Sequence, residues 1–200
     1  MFFAERTEIV LQDAVIGFAL CGSFCTHAKA MQALEQVRTR WQHIVPIVSE
    51  CTAATDTRFG KAKDLIERVE NICGRAVIHT IVCAEPLGPQ HPLDALIISP
   101  CTGNTLAKLS CGITDTAVCM AAKAHLRTDR PLVLALASND ALSANLKNVA
   151  ALLSRKSVYF VPMVQDDPSG KPHSMVADFS RVCETLSDAL AGVQVRRLIW

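Results

Sequence analysis

Three stretches of this chain are apolar at nearly every position rather than at every second one: Ala14–Leu20 (AVIGFAL), Asp94–Ser99 (DALIIS) and Pro131–Ala137 (PLVLALA). A strand with that pattern has no face to offer water, so both of its faces must be covered. The covering material is in the sequence. Ala28, Met31, Leu34, Val37 and Trp41 recur at helical spacing after the first stretch, and Ala62, Leu65, Ile66, Val69 and Ile72 do so before a stop at Gly74. Thr105–Cys111 and Asp115–Leu126 read as helices parted at Gly112. Leu142, Leu146, Val149 and Leu153 mark another helix, and Val176, Phe179, Val182, Cys183, Leu186 and Leu190 a last one. Ile44–Val48 and Val158–Val161 supply further strands, the former carrying Pro46 and so expected at an edge or a bulge. Val77–Val82 fits strand or helix. Thr52–Gly60 and Pro86–Pro92 read as loops, and Asp166–His173 (DDPSGKPH) as a polar turn or lid. Strands alternating with helices predict one α/β domain over 1–200, a three-layer Rossmann- or flavodoxin-like fold with a mainly parallel sheet. The apolar, basic tail 193–200 is expected to contact a neighbouring subunit.

Composition narrows the function. Half of the 200 residues are hydrophobic and the formal net charge is +1, which excludes a disordered chain and the basic face of a dedicated nucleic-acid binder. No apolar run approaches the roughly 18 residues of a membrane helix. Glu5, Glu8 and Asp13 stand where a signal peptide needs basic residues. The nine cysteines are odd in number and contain no Cys-x-x-Cys pair. That pattern fits a reduced cytoplasmic protein and no metal site.

Ligands of open parallel sheets bind beyond the carboxyl ends of the strands. Four such ends are rich in hydroxyls, amides or glycine: Gly22-Ser23, Ser49, Thr102-Gly103-Asn104-Thr105 and Ser138-Asn139. Helix capping explains any one of them. Four on one edge point to a phosphorylated, otherwise neutral ligand such as a mononucleotide, whose phosphate suits helix N-termini and glycine-flanked amides. Neither a G-x-G-x-x-G fingerprint nor a G-K-[ST] loop is present.

The run Ser99-Pro100-Cys101-Thr102-Gly103-Asn104-Thr105-Leu106-Ala107-Lys108-Leu109, followed by Gly112-Ile113-Thr114-Asp115, resembles the flavoprotein family that includes the FMN-dependent cysteine decarboxylases. The blocks Thr55-Asp56-Thr57-Arg58-Phe59-Gly60, Ala84-Glu85-Pro86-Leu87-Gly88-Pro89, Met120–Ala124, Ser138–Leu142 and Gln165-Asp166-Asp167-Pro168 with Lys171-Pro172 are similar to one branch of it. That branch holds the B subunits of a two-component enzyme that oxidises dihydrodipicolinate to dipicolinate in sporulating bacteria. The resemblance implies an FMN pocket with Gly22, Ser23 and Ser49 on the phosphate side, Thr102, Gly103, Asn104 and Thr105 on the flavin side, and Ser138 and Asn139 opposite. It implies a separate A subunit that binds NAD(P), a mother-cell cytoplasmic setting, and a homo-oligomer, a trimer or a multiple of one. It departs from the decarboxylases in two places. Their catalytic His is replaced in the region of Leu87, Gly88 and Pro89, where the nearest imidazole is His91, and their P-x-M-N motif becomes Leu136-Ala137-Ser138-Asn139. The alternatives are a self-sufficient decarboxylase-like FMN enzyme and a cofactor-less scaffold subunit.

A substrate with two carboxylates calls for cations, with Arg preferred for bidentate contact. Arg58, in the loop after the second strand, is the first candidate, and Lys171 in the late turn is the second. Arg58 could equally pair with Asp56 or Asp64, and Lys108 and Lys123 read as solvated helix positions. Asp166 and Asp167 read as turn chemistry rather than an acid/base pair. His27, His91 and His173 are loop or first-turn imidazoles. Cys21 and Cys101 read as small fillers, with a nucleophilic Cys101 as the alternative. No residue is assigned to catalysis.

Overall fold

The structure is a computed structural model that describes residues 13–199; the acidic N-terminal residues Glu5 and Glu8 and the terminal Trp200 lie outside it. In chain order it contains β1 (Val15–Leu20), a 3-10 turn (Phe24–Thr26), α1 (His27–Arg40), β2 (His43–Val48), α2 (Glu50–Ala54), α3 (Ala62–Cys73), α4 (Ile81–Ala84), β3 (Ala95–Thr102), α5 (Gly103–Cys111), α6 (Ala117–Leu126), β4 (Leu132–Ser138), α7 (Leu146–Leu153), β5 (Val158–Phe160), β6 (Met163–Val164), β7 (Met175–Ala177), a second 3-10 turn (Phe179–Arg181) and α8 (Val182–Leu190).

The uniformly apolar runs become the inner strands of one sheet. Its order is β2-β1-β3-β4, and beyond β4 lie β5, parallel along its first half, and β7, antiparallel at its end, with β6 outside β7. The parallel 2-1-3-4-5 order is that of flavodoxin-like sheets. Alternate residues feed two cores. Ile16, Phe18, Ile97 and Val133 pack under α1, α3 and α8, whereas Ala19, Leu96, Ile98, Leu134 and Leu136 pack under α5, α6 and α7. Pro46 sits on edge strand β2. Its carbonyl accepts from the Ile78 amide on the outer side, 3.0 Å away, where the missing proline N–H costs no ladder bond to β1.

Several element boundaries differ from the sequence reading. Strand β3 runs on past Ser99 and the cis Ser99-Pro100 bond to Thr102, after a register shift between Ile98 and Cys101. Thr52–Ala54, read as loop, belongs to α2, whose N-cap is Ser49. Val77–Val82 resolves into one bridge at Ile78 and the start of α4. Leu142 lies in a turn ahead of α7, and Val176 lies in a strand, not in the last helix. The tail runs beside β6, with the Met163 amide 2.8 Å from the Leu198 carbonyl and Ile199 59% exposed. Among the described residues no helix is long and apolar enough to cross a membrane, and all nine cysteines are free.

Candidate functional site

The order of the sheet creates a switch point between β1 and β3, where successive connections leave in opposite directions and a crevice opens at the carboxyl ends. The two ends are tied together there. The Cys21 amide donates to the Pro100 carbonyl at 3.3 Å, and the Thr105 hydroxyl to Cys21 Sγ at 3.3 Å. Thr102 Cγ2 lies 3.5 Å from where a Cβ on Gly22 would stand. Ser49 joins from β2, its amide 2.9 Å from the Leu20 carbonyl. Gly103 abuts the end of β4, because a Cβ there would run into Ser138 Oγ. The four strand ends therefore share one rim.

Hydrogen bonds at that rim divide its polar groups in two. Ser23 adopts a left-handed conformation (φ 60°), and its hydroxyl caps nothing. Among the described residues the amides of Gly22 and Ser23 find no acceptor. His27 Nε2 holds the turn, donating to the carbonyls of Cys21 and Gly22 at 2.8 and 3.2 Å, and so faces inward to the chain rather than outward to solvent. The Asn104 side chain is exposed in the first turn of α5, where the Thr102 hydroxyl caps the Thr105 amide at 3.1 Å and the two amides before it lack intrahelical acceptors. The remaining hydroxyls are committed. Ser49 donates to Thr52 at 2.9 Å, Thr102 to Thr105 at 3.0 Å, Thr105 to Cys21, and Ser138 to Asp140. This donor set, amides and one hydroxyl at helix N-termini, fits a phosphate-bearing group.

The cationic candidates lie around this rim. The loop 165–174 is tied to the end of β4 by the Leu142 amide, which donates to the His173 carbonyl at 2.9 Å, and within it Lys171 Nζ pairs with Asp166 at 3.1 Å. The Ser174 hydroxyl first, and Lys171 second, hold the Asp166 carboxyl below its ordinary range. Ser174 also reaches Asn139 Oδ1 at 3.5 Å. Asp167 accepts from the Gly170 amide at 2.8 Å, which is turn chemistry. A cleft of about 230 Å³ beside the first turn is lined by Phe24, His27, Met31, Thr52, Thr55 and Phe59. Arg58 stacks on Phe59, its guanidinium carbon 4.8 Å from the ring centroid; Asp56 instead accepts from the Ala62 amide. Lys108 is paired with Asp115 at 2.9 Å. Burial pushes the Cys21 thiol up to about 12 and raises Cys101 well above the ordinary thiol range, so neither is a thiolate nucleophile. Asp140, which fastens Ser138, stands in sequence two residues after the strand and within the block Ser138–Leu142 that carries the resemblance; no role is assigned to it there.

Residues 16–187 match the Flavoprotein family. The chain is 41% identical over 189 residues to the B subunit of dipicolinate synthase of Bacillus subtilis (strain 168), covering 94% of each. Among solved structures it superposes on the B subunit of dipicolinate synthase from Bacillus halodurans C with a TM-score of 0.87 and 36% identity, covering 95% of this chain and 97% of that one. The FMN-dependent cysteine decarboxylase SpaF shares the fold at a TM-score of 0.66 and 22% identity, covering 90% of this chain and 97% of that one. With most of its length matched by the family and by a relative of high coverage, this chain belongs to the Flavoprotein family.

Proposed function

We propose that this chain is the B subunit of a dipicolinate synthase, acting with the A subunit, a nicotinamide-binding Rossmann protein, to oxidise dihydrodipicolinate to dipicolinate in a sporulating bacterium. The observation that carries the reading is the 41% identity to the Bacillus subtilis protein across 94% of both chains. Aromatising the dihydropyridine removes a hydride from one ring carbon and a proton from a neighbour. NAD(P) on the A subunit, or a flavin on this chain, is a competent hydride acceptor.

In this reading Gly22 and Ser23 hold a mononucleotide phosphate with their free amides and the Ser23 hydroxyl. Asn104 faces the ring, with Ser49, Thr102, Gly103, Thr105, Ser138 and Asn139 completing the wall. Arg58 and Lys171 hold the two carboxylates of the substrate. The chain self-associates, and the exposed Val193 and Ile199 of the tail are the apolar surface that supports this. A second reading, a colourless protein that completes the active site of the A subunit, is favoured by the commitment of the Ser49, Thr102, Thr105 and Ser138 protons to internal bonds.

The test is reconstitution. The nicotinamide-binding component with NAD(P)+ and dihydrodipicolinate should form dipicolinate only when this chain is added, and full turnover without this chain would refute the proposal. Flavin absorbance in the co-purified complex would favour the FMN form; its absence would favour the colourless one.

A further inference from the structure

Asp140 carries three side-chain hydrogen bonds at the end of β4. Ser138 Oγ donates to its Oδ1, and Asn145 Nδ2 reaches both carboxylate oxygens at 2.9 Å. The Ser138 hydroxyl first and the Asn145 amide second hold this carboxyl below its ordinary range, with no neighbouring charge contributing. It is therefore ionised at neutral pH and has no proton to give. Every polarity around it follows. Ser138 spends its one proton on Asp140. Asn145 must present its amino group to the carboxylate, so its Oδ1 accepts from Asn148 Nδ2 at 2.8 Å, and Asn148 Oδ1 accepts from the Ser110 hydroxyl at 2.7 Å. Ser138, Asn145 and Asn148 are all buried, so these directions are fixed rather than exchanged with water. The relay also pins α5 to α7, and it leaves no room at Gly103, where a Cβ would come within 2.7 Å of Asn145 Nδ2 and 2.9 Å of Asp140 Oδ1.

We infer that Asp140 is a positioning residue that holds Ser138 with its proton turned inward, so that this point of the rim offers only a hydrogen-bond acceptor and selects a ring compound presenting an N–H there. The opposite stretch of rim offers the free amides of Gly22 and Ser23 as donors. A ligand with an oxyanion at one end and a heterocyclic N–H at the other matches both stretches in a single orientation. The ligand half of this inference rests on the proposed cofactor site; the proton's direction does not.

Two measurements separate those halves. In the full chain labelled with carboxyl-13C aspartate, with D140N identifying the signal, S138A should move the Asp140 titration midpoint upward. An unchanged midpoint would overturn the inward proton whatever the chain binds. The second measurement is a fluorescence titration with FMN and with FMN methylated at its ring N–H. The wild type should prefer FMN by about tenfold or more, the size expected when a buried acceptor loses its donor. Isosteric D140N, whose amide can donate to Ser138 and free its proton outward, should cut that preference at least threefold without changing the volume of the site. An equal preference in wild type and D140N would overturn the selection. Failure of FMN itself to bind the wild type would refute the ligand half together with the cofactor site.

Discussion

Gly103 is the residue on which the rim closes most tightly. The atoms that a methyl group would meet belong to Ser138, Asn145 and Asp140, which hold one another in place. Gly103→Ala should therefore cost about 1–3 kcal/mol of stability, an overpacking penalty, and lower the melting temperature by several degrees. An unchanged melting curve would show that the relay yields. Arg58 makes a different prediction. It is exposed and, among the described residues, held only by stacking on Phe59, so Arg58→Ala should leave flavin affinity and stability alone while weakening binding of the dicarboxylate substrate by about tenfold. Equal losses in both affinities would make Arg58 structural. The turn at Gly22-Ser23 was legible in sequence, because a glycine-serine turn between a strand and a helix has few conformational options. That Ser49, Thr102, Thr105 and Ser138 give their protons to protein groups was not legible. Residue spacing gives the type of a side chain, and the direction of a hydroxyl proton depends on partners as distant as Cys21, 84 residues from Thr105.

Elements were read best where length and period agreed. β1, β4 and the helices α1, α3 and α6 follow from their apolar patterns and from stop signals such as Gly74 and Gly112, both with left-handed φ. Short elements escaped, since three residues such as Met175–Ala177 carry no period and their pairing to the end of β4 overrides local preference. The sequence reading ends this strand at Ser99, yet β3 continues through Pro100 at a register shift. Two predictions belong at this scale. His125, buried at the end of α6, donates from Nε2 to the Pro131 carbonyl at 2.9 Å, and its Nδ1 has no partner among the described residues. Burial lowers its pKa, so the unfolded chain takes up the proton first. Its contribution to stability is complete above the ordinary histidine range and falls as pH drops below about 6.5, by at most about 1.4 kcal/mol per pH unit. Denaturant midpoints should fall between pH 7.5 and 5.5, and less steeply in His125→Gln; an unaltered pH slope in that variant would acquit His125. The strand-end thiols give the second. Iodoacetamide at pH 8 should label the exposed Cys25, Cys51, Cys83 and Cys111 in the native protein and spare Cys21 and Cys101 until it unfolds, which peptide mapping would reveal.

At the scale of the whole molecule, an open parallel sheet covered on both faces takes its ligands at the carboxyl ends of the strands, here at the reversal between β1 and β3. The fold class and that rim were legible because uniformly apolar strands admit no other arrangement of the intervening helices. The family was legible because the motif running from Ser99 to Asp115 crosses the rim itself, from the last turn of β3 into α5 and on to the start of α6. The claim that joins these levels is that the rim holds a phosphorylated ring compound through the Gly22-Ser23 turn. Titrating FMN into the purified chain and into Ser23→Glu, with flavin fluorescence as the readout and melting curves to verify folding, tests it most directly. Saturable binding to the parent that vanishes in a folded Ser23→Glu is the result predicted; equal binding by both proteins, or none by the parent, would contradict it.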